Sequence, residues 1–392
     1  MTDLAGSVSR GARTILRPFY RPVKRVTRFI AWAIPTLSGL LAPSRRADRV
    51  LIIYDTSSQP FSIGDLLIFQ EASLLLCEKF GIRTVDFALI YDREDPASSD
   101  PVFKTRVTKD NFLYHLASVI PVVQVNQFLG SIFVFDSRAQ LARYVNDNLD
   151  RYVVWPSGWN LSSREYLSPS VFNQLLREHF EQHGSVPRLS CRPFLRDWAI
   201  GFYRDQTSAR VPITVNLRNN PGWHLDRNSR IDIWITFFED CAPKYPALFV
   251  IICARSEVDD RLRQCKNVLI AKDYDTGVEQ DMALIHYSAA HMGASSGPAT
   301  MAWFNDRPYL MVNTEFKAGE FFSGKDMVEQ VGANLQRVWF SSPMQHVAAG
   351  VETAELLITQ FASLWSAIDL APWSGDRTPQ SPDPGAVTSW LR

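Results

Sequence analysis

Charge of one sign is not in excess: 41 Lys and Arg residues balance 41 Asp and Glu residues. That balance removes any bulk electrostatic case for a nucleic-acid partner. Cysteine is scarce, with five in 392 residues (Cys77, Cys191, Cys241, Cys253, Cys265), odd in number and widely spaced. None forms a C-x-x-C pair, which argues against a disulfide framework or a zinc site and fits a reducing, cytosolic setting. The G-x-G-x-x-G of a nicotinamide enzyme, a P-loop, a G-x-S-x-G elbow and an H-E-x-x-H helix are all missing. The uncharged run from Phe29 to Pro43 is shorter than the roughly 20 residues of a spanning helix, and Pro35 interrupts it. It also starts late for a signal peptide and lacks a clear small-residue cleavage site.

What remains is a globular composition, 46% hydrophobic and 21% charged, in a chain long enough for two domains or one large one. The zero net charge hides an asymmetry. From Arg10 to Arg49 ten bases face a single acid, Asp48, interleaved with Ile15, Phe19, Val23, Val26, Ile30 and other apolar residues near helical spacing. Residues 1–48 thus read as a basic amphipathic arm that lies on an anionic membrane surface, or as a basic tail or an arm packed on its own domain.

From Arg49 onward strands alternate with helices. Val50–Tyr54, Thr84–Tyr91, Ile132–Phe135 and Tyr152–Trp155 read as buried strands. A helix from about Asp65 to Lys79 ends at Gly81, and Ser137 is the N-cap of another. This makes residues 49–165 a doubly wound domain, with an acidic surface loop near Asp92–Pro101. Residues 166–210 form a helical bridge. A second series over residues 211–325 has strands at Ile213–Leu217, Ala247–Cys253 and Val268–Ala271. Helices fall at Ser229–Cys241, Glu257–Arg263 and Val278–Ala290. Residues 326–371 read as helices from the spacing of Val328, Val331, Leu335 and Val338, then of Leu356, Leu357, Phe361 and Leu364. The Pro- and Ser-containing tail, 372–392, reads as disordered.

The second series closes on the stretch from His291 to Asn313. A strand breaks at Ser295-Ser296-Gly297-Pro298, a short helix follows to Phe304, and a last strand covers Tyr309–Val312. Pro298 suits a first helical turn, and the residues before it offer hydroxyls and amides at its positive end, a turn suited to a phosphate. An ordinary strand–turn–helix connection has the same sequence.

Three segments carry a resemblance to a known family. Ile63-Gly64-Asp65 after the first strand resembles the loop–GD–helix turn of heptosyltransferase-like GT-B enzymes. Val215-Asn216-Leu217-Arg218 resembles the V-H-V-R run of GT-B fucosyltransferases, with Asn216 in place of their histidine. Ser295-Ser296-Gly297-Pro298 resembles the donor-phosphate loop of both. Each stands at the C-terminal end of an expected strand, where clefts form in such sheets. The resemblance covers roughly Val50 to Asn313. It implies a glycosyltransferase of two Rossmann-like domains facing across a cleft, moving a sugar from a nucleotide-diphosphate sugar to a glycan or lipid-linked acceptor in surface-polysaccharide synthesis. The implied setting is the inner face of the membrane. A polysaccharide pyruvyl transferase-like enzyme and a non-catalytic scaffold in envelope assembly are the alternatives.

In that scheme Gly64 lets backbone approach the sugar. Asp65 is the candidate base if the reaction inverts the anomeric centre, with His224 as second candidate. Arg218 would neutralise the leaving diphosphate, helped by Ser295, Ser296 and Gly297. Asp226 would contact the sugar or order its loop together with Arg227. Tyr274 lies where the nucleotide base would sit, and Asn313 and Glu315 would reach ribose or sugar hydroxyls. Each residue also has a plain role: Asp65 in a helical first turn, Arg218 as a surface arginine, Asn313 in a turn. Asp273-Tyr274-Asp275 spells D-x-D, the metal–diphosphate signature of GT-A transferases, but two α/β units surround it. No cofactor and no metal are therefore expected.

Overall fold

A computed structural model describes residues 47–59, 62–90, 110–162, 169–220, 225–313, 328–332, 335–348 and 351–373. The arm up to residue 46, the acidic loop, His224, Glu315 and the tail from 374 lie outside them.

The first sheet is β3 (Leu129–Phe135), β2 (Val85–Ile90), β1 (Arg49–Asp55) and β4 (Tyr152–Trp155), in that spatial order and all parallel. The run RVLIIYD has no polar face because both faces are covered. Val50, Ile52 and Tyr54 point to one core, whereas Leu51 and Ile53 point to another with Ala88, Leu141 and Val145. Helix α1 (Ile63–Phe80) connects β1 to β2; the Ser62 hydroxyl accepts from the Asp65 amide, and Gly81 ends the helix at φ 66°. Helices α2 (Phe112–Val119) and α3 (Arg138–Asp147), the latter capped by Ser137, complete this lobe.

Two helices, α4 (Pro169–His183) and α5 (Pro193–Gln206), lead to the second sheet. Its central strands are β5 (Val211–Asn216), β6 (Ala247–Ile252), β7 (Val268–Ile270), β8 (Ala290–Ala294) and β9 (Tyr309–Val312). Three more follow, β10 (Val328–Gly332), β11 (Leu335–Val338) and β12 (Gln345–Ala348), giving the order β10-β11-β12-β9-β8-β5-β6-β7. All pairings from β12 to β7 are parallel, and the β10–β11 and β11–β12 pairings are antiparallel. The helices of this lobe are α6 (Ile231–Cys241), α7 (Val278–Tyr287), α8 (Ala299–Trp303) and α9 (Ala354–Ala367). Phe237, Phe249 and Phe361 fill the space between the sheet, α6 and α9.

The inner faces of the two sheets share one core. It runs without a break from Val50, Ile52 and Leu67 through Val122 and Val123 to Met282, Met301 and Met311. A strap between α4 and α5 ties the lobes together. The Arg192 amide donates to Gln124 O (3.2 Å), the Leu189 amide to Phe304 O (2.9 Å), and Arg188 pairs with Asp306 (2.8 Å).

The helix expected from residue 327 is absent, and that segment forms β10, β11 and β12. Val328, Val331, Leu335 and Val338 keep a helical spacing, but the three valines are β-branched and suit strands equally, so strand pairing decides the outcome. Pairing of β12 with β9 also covers what would otherwise be an open sheet edge. The expected helix at Glu257–Arg263 is instead two short 3-10 turns, Arg255–Glu257 and Asp260–Gln264.

One side chain in α1 is out of keeping with its surroundings. Glu71 is fully buried, and among the described residues neither carboxylate oxygen has a hydrogen-bond partner. Burial pushes its pKa well above the ordinary 4.5, against the opposing pull of the nearby Arg188 charge. The folded state therefore holds this proton more tightly than the unfolded chain. The stability it contributes is complete below pH 4.5 and is lost as pH rises through the elevated folded value. Glu71→Gln should accordingly gain on the wild type as pH increases above 4.5, read from urea midpoints across pH. A constant difference between the two proteins would show that Glu71 is not a buried neutral acid.

Candidate active site

In an open α/β sheet the chain leaves a crevice where consecutive connections diverge to opposite sides. Here β5 is followed outward by β6 and β7, after which the chain returns to β8 on β5's other flank. The divergence falls between the C-terminal ends of β5 and β8, which carry Asn216-Leu217-Arg218 and Ser295-Ser296-Gly297. The first sheet has the same layout, with its divergence between β1 and β4. Its crevice is filled by a buried ion pair, Asp55 with Arg138 (2.8 Å), and Trp159 Nε1 donates to the same carboxylate.

At the second crevice the strands are drawn together by polar side chains. Asn216 is buried; its Nδ2 donates to Ile252 O (2.8 Å), and its Oδ1 accepts from the Ser296 hydroxyl. Gly293, paired with Asn216 across the sheet, has φ 148°, and a Cβ there would stand 2.5 Å from Asn216 O. Only glycine fits. Deeper in the sheet, His291 Nδ1 lies 3.0 Å from Thr214 Oγ1. Burial pushes the imidazole down to about 3, so it is neutral and structural at ordinary pH.

Arg218 is half-buried where β5 ends. Its amide donates to Ser229 Oγ (3.1 Å), its carbonyl accepts from the Ser229 amide (2.7 Å), and its Nη1 donates to Asn228 Oδ1 (2.7 Å). Arg227 reaches the other side of the crevice and donates to Ser295 O. Asn313, at φ 49° after β9, donates to Asn228 O (3.3 Å). Residues 227–229 thus join the loops that follow β5, β8 and β9, and bring Arg218, Ser295, Ser296, Gly297 and Asn313 into one cluster.

The other lobe meets this cluster at the start of α1. A Cβ on Gly297 would lie 3.0 Å from Ile63 Cβ and 3.1 Å from the Gly64 amide nitrogen. A Cβ on Gly64 would lie 3.3 Å from Thr300 Oγ1 and 3.4 Å from Gly297 Cα. Gly64 and Asp65 are therefore held against the loop after β8. Asp65 is half-buried in the first turn of α1, where a carboxylate is favoured by the helix dipole.

Tyr274 is placed apart from the cluster. It follows β7, two strands from β5, and its ring rests edge-on against Phe202 of α5 at 5.3 Å. Its D-x-D neighbours are engaged as well: Asp273 pairs with Arg263 and Asp275 with Arg255, both at 2.6 Å. The Arg263 hydrogen bonds hold the Asp273 carboxyl below the usual carboxylate range. Asp226 lies in a 3-10 turn, Leu225–Arg227, in the loop that carries Arg227. Sequence reasoning passed over Asn228 and Thr300, because an asparagine in a polar loop and a threonine in a short helix carry no motif.

No family model matches this sequence, and no curated protein matches it. Solved structures do. Escherichia coli ADP-heptose LPS heptosyltransferase II superposes with a TM-score of 0.51 at 10% identity, over 81% of this chain and 99% of that one. A glycosyl transferase family 9 protein from Veillonella parvula matches over 82% and 98% of the two chains, at 10% identity and TM-score 0.49. A fucosyltransferase from Bradyrhizobium covers 66% of this chain and 94% of its own, at 10% identity and TM-score 0.28. The Escherichia coli likeness, one of fold alone, gives the architecture its class: two doubly wound lobes in the GT-B arrangement.

The lobe contact has a direct test. Gly297→Ala would press a methyl group against backbone that cannot turn away, at a cost of about 1–3 kcal/mol. Gly64→Ala meets the end of a threonine side chain and gains roughly 0.5–1 kcal/mol of helix propensity, so it should be close to neutral. Urea midpoints that rank the two substitutions the other way would mean that α1 and the loop are not in contact.

Proposed function

We propose that this chain is a metal-independent glycosyltransferase that moves a sugar from a nucleotide-diphosphate sugar to a glycan or lipid-linked acceptor. The observation that carries this reading is the convergence of Arg218, Ser295–Gly297 and Asn313 at the second sheet's crevice, with Gly64 and Asp65 of the other lobe against it. The similarly folded Escherichia coli protein is by name an ADP-heptose heptosyltransferase, which supports the choice of donor class.

In the reaction an acceptor hydroxyl oxygen attacks the anomeric carbon, and the bond from that carbon to the diphosphate oxygen breaks. The nucleoside diphosphate leaves with the electron pair, so negative charge grows where Arg218 and the amides of the loop after β8 stand. For an inverting outcome Asp65 takes the acceptor's proton. The lobe contact serves this by holding base and diphosphate site at a fixed separation.

A thermal-shift series with GDP, UDP and ADP tests the donor class, since a ligand bound only by the folded state raises the midpoint. One of the three should stabilise the wild type, and Arg218→Ala should lose at least about tenfold in affinity for it, the scale expected for a charge-assisted contact. Asp65→Asn should keep the nucleotide and lose turnover by about 100-fold or more. An Arg218→Ala protein with full nucleotide affinity would sink the donor-site assignment, and an active Asp65→Asn protein the base.

Peripheral membrane contact through the basic arm is part of the same proposal, and it is where a lipid-linked acceptor would be met. Among the described residues no helix is long and apolar enough to cross a membrane. Deleting residues 1–46 should release the protein from anionic vesicles at low salt, and retention of the truncated protein there would remove the arm from the account.

A further inference from the structure

We infer that Asn228 is a positioning residue for the diphosphate site: a neutral clamp that aims the Arg218 guanidinium without cancelling its charge. The inference rests on the function proposed above. Asn228 Oδ1 accepts from Arg218 Nη1 (2.7 Å) and from the Asn220 amide (3.1 Å), while Nδ2 donates to Asn220 O (2.8 Å). An amide can be drawn either way round, but here the Asn220 peptide decides its orientation. Its N–H must meet the oxygen and its C=O must meet the NH2 group. The atom facing Arg218 is therefore a carbonyl oxygen, fixed by two bonds to main chain.

Two consequences follow for the guanidinium. The Nη1 donor is used for orientation, so the fork is held in place before a ligand arrives. Asn228 is uncharged, so this contact spends none of the attraction available to a diphosphate. A carboxylate in the same position would bind Arg218 more strongly and compete with the ligand for it. The backbone carbonyl of Asn228 also accepts from Asn313 (3.3 Å), and its neighbour Arg227 grips Ser295 O. The clamp is thereby referenced to the loops after β8 and β9 as well as to its own.

The charge of the clamp, more than its bond count, is what the test must isolate. Asn228→Ala removes all three side-chain bonds; Asn228→Asp can keep the bonds made by Oδ1 but adds a charge. A purely structural residue would suffer more from alanine. A positioning clamp that has to be neutral would suffer more from aspartate in ligand binding, even where aspartate leaves the fold the more stable of the two.

The experiment is calorimetric titration of the full chain with GDP, UDP and ADP. The proteins are the wild type, Asn228→Ala, Asn228→Asp, Arg218→Ala and the Asn228→Ala/Arg218→Ala double variant, each with its melting midpoint. For the nucleotide that binds, the expected affinity order is wild type, then Asn228→Ala, then Asn228→Asp, with the last weaker than wild type by about tenfold or more. In the Arg218→Ala background Asn228→Ala should change affinity by less than about twofold, because the group it positions is gone. The double variant decides the matter should Asn228→Asp not fold. Loss of affinity in Arg218→Ala with none in the Asn228 variants, or equal losses from Asn228→Ala with and without Arg218, would overturn this inference alone. Absence of binding of all three nucleotides to the wild type would overturn the proposed donor class and the clamp with it.

Discussion

Two glycines, one in each lobe, set the distance at which the rest of the molecule is held. Gly297 lies so close to Ile63 and Gly64 that a single added carbon at Gly297 would have to displace backbone. The contact is not a loose touch between surface loops. On one side α1 is buried over most of its length, from Leu66 to Cys77, and on the other the loop runs straight into α8, where Ala299, Met301 and Ala302 are buried. Close-packed cores transmit position with little give. The first turn of α1, with Asp65 in it, is thereby registered against the loop after β8, and through Ser296 and Asn216 against the end of β5.

The space between the lobes is accordingly filled at depth. One core reaches from the first sheet to the second, and the strap through Arg188, Leu189 and Arg192 bonds to both. What is left for ligands is the rim, where the C-terminal ends of the second sheet's strands emerge beside α1. The first sheet's own crevice is occupied by the side chains of Asp55, Arg138 and Trp159. On the proposed function an anion is better served by the other crevice, where Arg218 and Arg227 converge.

Much of this was legible in the sequence where burial is complete. Runs such as VLIIY and ALFVII admit one reading, because a strand covered on both faces has no use for polar residues. Caps were equally plain at Ser137 and Gly81, where a single residue type answers a single geometric need. Misreading set in where burial is partial. From Val328 to Val338 the apolar residues are few enough to satisfy a helical spacing and a strand pattern alike, and the decision falls to a tertiary fact, the open edge of β9, that no local window contains. The site divides in the same way. Gly64, Arg218 and the serine-glycine turn, which the structure brings together, were singled out because each sits directly at a strand or helix end. Asn228 was not, because its value lies in contacts with residues 218, 220 and 313. Tyr274 was assigned by its place after a strand, yet that strand is the outermost on its side of the sheet, and the ring turns to Phe202.

The asparagine at position 216 completes the picture. A histidine there would bring a titratable ring to the crevice. Asn216 brings an amide whose two ends are both engaged, Nδ2 by Ile252 O and Oδ1 by the Ser296 hydroxyl. Since Nδ2 faces a carbonyl, Oδ1 is the end turned to Ser296, and the serine must be the donor. That hydroxyl proton is then committed to protein, and Ser296 contributes to an anion site through its main chain unless it gives up this bond. The burden of neutralising a leaving diphosphate shifts to Arg218 and to backbone amides, none of which titrates near neutral pH. On the proposed function, then, the donor side of the site should hold its charge across the physiological range.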